Sequence, residues 1–366
     1  MNARSLCLFA ALLVTTFHST ATAETRIAGA AQPQLATASD GRVWLVYGQG
    51  RDVLVARSDD GGGWFQPART VATLPQLMLG MRRGPRIAAR GDSITVTVVA
   101  PELLAYRSTD AGQTWSGPVT VNDVAESARE GLHDLALSPN GDLFSTWLDL
   151  RNGKMELWGA SSRDGGATWT KNQQVYKSPG ISICECCHPT SLFDAEGNLA
   201  VMWRNSVDGA RDMWMTTRAA GVTQFSLVHK VGDGTWQLNA CPMDGGRIVA
   251  LGRGKFGAVF QRAGEVFFVS ESNAEMRLGK GKQPIAMLGG RGPVFFWQDG
   301  NDLVSVERTG DAPTKRATDA RFAVIVAVPR GGGILLAYEQ GPAKEKQPGI
   351  VVERLLMERL GRSAAF

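Results

Sequence analysis

Apolar residues along this chain come in short bursts, each cut off by glycine, proline, asparagine or aspartate. Val43-Trp-Leu-Val-Tyr47, Leu143-Phe-Ser-Thr-Trp147, Leu199-Ala-Val-Met-Trp203 and Ile334-Leu-Leu-Ala-Tyr338 are rich in β-branched and aromatic residues and bounded by turn formers, which is the signature of short strands. No stretch after the first two dozen residues keeps the 3.6-residue apolar period of a helix, so an all-β chain is expected. A second landmark recurs: an entry segment, an apolar strand, a glycine-centred turn, then a strand that often holds tryptophan. It stands at Pro33-Gln-Leu-Ala, Pro85-Arg-Ile-Ala, Asp134-Leu-Ala-Leu and Pro189-Thr-Ser-Leu. Weaker copies begin at Pro242, Pro284-Ile-Ala-Met and Phe322-Ala-Val-Ile, which makes seven units. Units of this kind bury their apolar faces only by stacking on neighbours.

Between these landmarks an eight-residue frame returns at positions 58, 108 and 162, a period of about fifty residues. It reads Ser58-Asp-Asp-Gly-Gly-Gly-Trp-Phe65, Ser108-Thr-Asp-Ala-Gly-Gln-Thr-Trp115 and Ser162-Arg-Asp-Gly-Gly-Ala-Thr-Trp169. Ser58, Asp60, Gly62, Ser108, Asp110, Gly112, Ser162, Asp164 and Gly166 supply the turn chemistry: side-chain oxygens that bond turn amides, and glycines that accept positive φ. Trp115 and Trp169 close two of the frames, and Phe65 closes the third. The frame resembles the Asp-box, or BNR repeat, of the sialidase-like β-propellers. The resemblance implies six blades, whereas the landmarks count seven, and seven four-stranded antiparallel blades is the expectation carried forward. Arg26-Ile-Ala28 is expected to complete the last blade, because propellers close by pairing one chain end into the sheet of the other.

Met1 to Ala23 combine a charged start, an apolar run from Leu6 to Phe17 and a small-residue Ala21-Thr-Ala23 site, the pattern of a cleavable signal peptide. Residues 24–366 then form a single propeller domain, expected to be periplasmic or secreted. The formal net charge of +4, spread without a basic tract, favours neither nucleic acid nor membrane insertion. The 43 glycines and ten tryptophans suit many short strands joined by turns.

Candidate chemistry lies in the cysteines. Three stand in Ile183-Cys184-Glu185-Cys186-Cys187-His188-Pro189, and another follows in Asn239-Ala-Cys241-Pro242-Met243-Asp244. Aligning the entry segments puts His133, His188 and Cys241 at equivalent positions of three successive units, aimed at one mouth of the central channel. Cys184, Cys186, Cys187, His188, Cys241, His133 and Met243 are therefore candidate ligands for a soft metal ion, copper first, since thiolate, imidazole and thioether donors favour Cu(I) or zinc. In an extended segment Cys184 and Cys186 share a face that Cys187 does not, so three-thiol convergence requires a turn. Two other readings stand beside it: disulfides from Cys184 or Cys187 to Cys241 in an oxidising compartment, and a redox-active thiol pair. With disulfides in place, the domain would be a protein-interaction scaffold.

The resemblance also implies an enzyme reading, an exo-sialidase that binds a glycan carboxylate through arginines and uses a Tyr–Glu nucleophile and an Asp acid/base. The chain departs from that pattern. The expected early aromatic-Arg-Ile-Pro motif is missing, and Arg86-Ile-Ala88 in the second unit is the nearest match. Tyr338 adjoins Glu339, yet strand neighbours point to opposite faces. Trp147-Leu-Asp149-Leu-Arg151 places Asp149 and Arg151 on one face, as an acid–base pair or as a loop-ordering ion pair. Asp149, Arg151, Arg86 and Tyr338 are the weak catalytic candidates, and the expected function is binding rather than glycoside hydrolysis.

Overall fold

In the computed structural model, residues 24–328, 333–342 and 344–355 are described; residues 1–23, expected to be a signal peptide, and the extreme C-terminus lie outside them. Seven four-stranded antiparallel sheets form a ring, with no helix among the described residues. The count of seven holds, against the six that the family resemblance implies. In six blades the chain runs from an inner strand at the hub to an outer strand at the periphery. The inner strands are Ala30–Thr37, Arg86–Arg90, His133–Leu137, Thr190–Phe193, Arg247–Gly252, Lys282–Gly289 and Ala320–Ala327, and each touches the next around the circle. The seventh blade takes its outermost strand, Glu24–Ile27, from the start of the described chain, with Arg26 opposite Val351. That is the closure expected of Arg26-Ile-Ala28.

The second strands bury almost every residue, because each is covered by a neighbouring blade on both sides: Val43–Gln49 and Leu143–Asp149 are nearly inaccessible along their whole lengths. Trp44, Trp147, Trp203 and Trp297 sit on four of these strands and are among the largest fully buried side chains. The buried apolar residues fall into seven clusters, one for each junction between consecutive blades. Stability is therefore distributed as nearest-neighbour contacts around the circle rather than concentrated in one core.

The Asp-box frames lie between the third and fourth strands of blades 1, 2 and 3. In each, the Ser hydroxyl donates to the Asp carboxylate and accepts from a buried Gly N–H, at 2.8 Å for Gly62, Gly112 and Gly166. Thr114 and Thr168 donate further hydrogen bonds to Asp110 and Asp164. Trp64 replaces that threonine in the first box and is 61% exposed, while Phe65 takes over the buried anchor. The turns lean on the preceding blade: a Cβ at Gly112 would meet the Trp44 ring at 3.0 Å, and one at Gly166 would meet Thr95 at 2.8 Å.

One landmark is displaced. Blade 5 does not start its inner strand after Pro242 but at Arg247, so Cys241 lies on the linker and is not equivalent to His133 or His188. The shift follows from a long linker without a box frame, which Gly245-Gly246 ends. A Cβ at Gly245 would fall 1.9 Å from the His188 carbonyl oxygen, so only glycine lets the two linkers pass this closely.

Candidate metal centre

The Cys184–His188 segment carries the chain from the outer strand of blade 3 to the inner strand of blade 4. Ile183 anchors it, buried in the apolar junction of those blades, with its N–H donating to Met155 O at 3.1 Å. Cys184 N–H donates to Arg204 O at 3.0 Å. Because the chain then turns at Glu185–Cys186, the three thiols converge instead of splitting between two faces. Cys184 Sγ lies 3.4 Å from Cys187 Sγ and 3.8 Å from Cys186 Sγ, and all three sulfurs fall within 4.8 Å of one another. All four cysteines from Cys184 to Cys241 are free thiols.

The second wall of the site comes from the linker between blades 4 and 5. Asp244 N–H donates to Cys187 Sγ at 3.4 Å. Arg204, at the end of the second strand of blade 4 and 1% exposed, holds that linker in place. Its guanidinium donates to Asp244 O at 2.9 Å, Arg211 O at 2.6 Å and Gln261 O at 2.8 Å. The thiols share charge unequally. Hydrogen bonds with Cys186 and Cys187 hold the Cys184 thiol far below the ordinary thiol range, with Arg204 adding to the effect. Cys186 is pushed up to about 12 by its bond with Cys184, and Cys187 is raised by burial. The cluster thus carries its first negative charge on Cys184, stabilised by its neighbours and a buried cation.

The other sequence candidates are placed as follows. Cys241 is exposed and stands on the linker outside the group of three sulfurs. Met243 is half-buried with a left-handed backbone, and its carbonyl accepts from Gln283 Nε2 at 2.6 Å. His188 faces the hub rather than the sulfurs. It is buried, its Nδ1 has no hydrogen-bond partner, and burial together with Arg82, Arg247 and Arg86 keeps it neutral. His133 sits one junction away, with Nε2 3.1 Å from Thr97 Oγ1, and burial beside Arg86 lowers it to about 3. Neither histidine, nor Cys241, joins the group of three sulfurs.

The weak catalytic candidates are held in structural roles. Asp149 is fully buried, accepting from Trp147 Nε1 at 2.7 Å and from Arg151 Nε at 2.9 Å. Arg151 also reaches Asp123 and Asn172 and stacks 3.7 Å over the Trp158 ring, so the pair orders a loop. Arg86 is buried at the hub, bonded to the Arg82 carbonyl and 3.6 Å from Asp134. Glu339 binds Arg321 and Gln32, while Tyr338 is buried, and burial with the Glu353 charge raises its hydroxyl. Sequence reading missed Arg204 and Asp244 entirely. A lone arginine at a strand end carries no signal that it will be buried.

No protein-family model matches the chain, and no curated protein matches it. Solved structures do resemble it. A polysaccharide lyase, Uly1, shares 9% identity with a TM-score of 0.58 over 91% of this chain and 98% of its own. YCF48 with a bound D1 peptide shares 12% identity at a TM-score of 0.57, over 92% of this chain and 95% of its own. The Hadza microbial sialidase Hz136 shares 15% identity at a TM-score of 0.51, over 90% of this chain and 66% of its own. What the chain shares with them is the β-propeller fold. At these identities the likeness extends to architecture alone, since lyases, a sialidase and a peptide-bound protein share it.

Proposed function

We propose that this propeller binds one soft metal ion, Cu(I) in the first instance, through Cys184, Cys186 and Cys187, and that it does so as an exported protein in the periplasm or outside the cell. The observation that carries the reading is the spacing of the three free sulfurs. A metal held by three thiolates at about 2.3 Å in a plane requires sulfurs about 4 Å apart, and these lie 3.4 to 4.8 Å apart. Three soft sulfur donors without a nearby imidazole or carboxylate in the set favour Cu(I) over harder ions. A thiolate already favoured at Cys184 lowers the proton cost of binding, and the Asp244 N–H supplies the hydrogen bond to sulfur that thiolate centres use to orient a ligand.

The test is a Cu(I) titration of the mature protein under anaerobic conditions against a chromophoric competitor, with the metal then counted on the desalted protein. One Cu(I) per chain is expected, and its loss in the Cys184→Ser/Cys187→Ser double variant. Equal uptake by that variant, or no uptake by the native protein, rejects the reading. Export is tested separately by fractionation of cells expressing the full chain.

A further inference from the structure

The repeat frame has a fourth, altered copy. Strand register pairs Val43 with Ser58, Ile94 with Ser108 and Leu143 with Ser162, and in blade 4 it pairs Leu199 with Arg218. The frame there reads Arg218-Ala-Ala-Gly-Val-Thr-Gln-Phe225, with arginine for the box serine, Ala220 for the aspartate and Val222 for the buried glycine. Each intact box seats its glycine on the preceding blade: Gly62 against Leu335, Gly112 against Trp44 and Gly166 against Thr95. The matching residue of blade 3 is Phe144. Val222 stands 50% exposed instead of seating there, and a cavity of about 440 Å³ lies between the two blades, lined by both residues.

Three cations also line this cavity, Arg163, Lys171 and Arg218, and none forms an ion pair or side-chain hydrogen bond among the described residues. Arg218 rests on aromatic rings, its guanidinium 5.0 Å from the Phe144 centroid and 5.3 Å from that of Phe225. The two carboxylates in the wall, Asp142 and Glu196, are engaged by Asn140 Nδ2 and the Arg253 N–H, each at 3.1 Å. Burial lowers the Arg218 guanidinium, a shift that the Asp142 charge opposes. A half-buried fork without an acceptor, in a mostly apolar cavity of small-molecule size, suits an anion that brings its own apolar body.

We infer that the junction of blades 3 and 4 binds a small organic acid, a carboxylate on a planar aromatic body. The carboxylate pairs with the Arg218 fork, the ring fills the space beside Val222 and Phe193, and Arg163 and Lys171 draw the anion in from the rim. The site is separate from the thiols. It opens among turns that join first to second and third to fourth strands, on the face of the ring opposite the linkers between blades.

Binding is measured by isothermal titration calorimetry, with 2-naphthoate as the probe and 2-naphthamide as its neutral isostere. One 2-naphthoate per chain is expected, with 2-naphthamide weaker by about tenfold. Arg218→Gln should lose about tenfold in affinity, and the exposed rim pair Arg163→Gln/Lys171→Gln about threefold. Rebuilding the box with Arg218→Ser, Ala220→Asp, Val222→Gly and Gln224→Thr should close the turn onto Phe144 and abolish binding. Equal affinity for the two probes, no binding by the native protein, or unchanged affinity in the rim variant overturns the inference. Undiminished binding by the rebuilt box does so too, and should that variant misfold, the rim pair decides alone.

Discussion

Replacing Arg204 with Met probes the wall of the candidate centre without touching a sulfur. The guanidinium donates to three carbonyl oxygens at 2.6 to 2.9 Å, two of them from fully buried bonds, and Arg204 is 1% exposed. Hydrogen bonds to a charged group contribute about 1.5–3 kcal/mol each, so the gross loss is roughly 4–9 kcal/mol. Relief of the buried cation's desolvation offsets several of these. A net destabilisation of about 3 kcal/mol remains. At about 2.1 cal/mol/K per residue, the 366-residue chain loses roughly 4 °C of Tm for that cost. Arg204→Lys, a point charge that cannot span three acceptors, should fall between. The assay is denaturant unfolding of the metal-free protein paired with the rate at which a thiol reagent labels Cys184 and Cys187. Both should change together, because the linker that Arg204 holds covers Cys187. A Met variant within about 1 kcal/mol of the native protein, its two thiols still protected, would refute the clamp.

Other perturbations have defined outcomes. His133 is held neutral down to about 3 and His188 is also depressed. As pH falls below the unfolded value near 6.5, the unfolded chain takes up protons that the folded one refuses, so stability drops by up to about 1.4 kcal/mol per histidine per pH unit. His133→Gln should flatten the urea midpoint between pH 6.5 and pH 4 relative to the native protein, and an unchanged slope would contradict the assignment. Ser162→Ala leaves the buried Gly166 N–H without its acceptor, costing about 1–3 kcal/mol. Gly166→Ala adds a methyl group 2.8 Å from Thr95 at φ +89° and should cost at least as much, measured by thermal unfolding. Gly245→Ala should be worse than either, since its methyl would overlap the His188 carbonyl oxygen, and it should also reduce Cu(I) uptake. Stable, fully metallated Gly245→Ala protein would show that the two linkers can part without consequence.

Much of the architecture was legible because the repeat carries it. Short strands such as Leu199-Ala-Val-Met-Trp203 and box turns such as Ser162 to Trp169 declare themselves locally, by a brief apolar run between turn formers and by glycine and a capping hydroxyl. The start of blade 5 was not legible, since its long linker substitutes Gly245-Gly246 for the usual entry residues and offers Pro242 as a decoy. The centre was half legible. Its thiols stood together in sequence, but their convergence depends on a turn at Glu185–Cys186 that an extended reading splits apart. His133 and His188 were expected at equivalent positions, yet His133 opens its inner strand opposite Trp147 while His188 lies two residues before its own, and their surroundings are guanidinium groups rather than sulfur. Arg204 acts through its guanidinium on carbonyl oxygens of distant segments, and Asp244 through its backbone N–H, meetings that no local pattern foretells.

The strand Glu24–Ile27 sits at the outer edge of a sheet whose other members lie more than 290 residues further along the chain. The ring is thus sealed by its two extremities, like a belt whose buckle and tongue are made first and last. A product cut short before Ile350 has no seat for Glu24–Ile27, so unfinished copies leave raw strand edges for proteases and chaperones to recognise. Completeness of synthesis is in this way written into the closure itself.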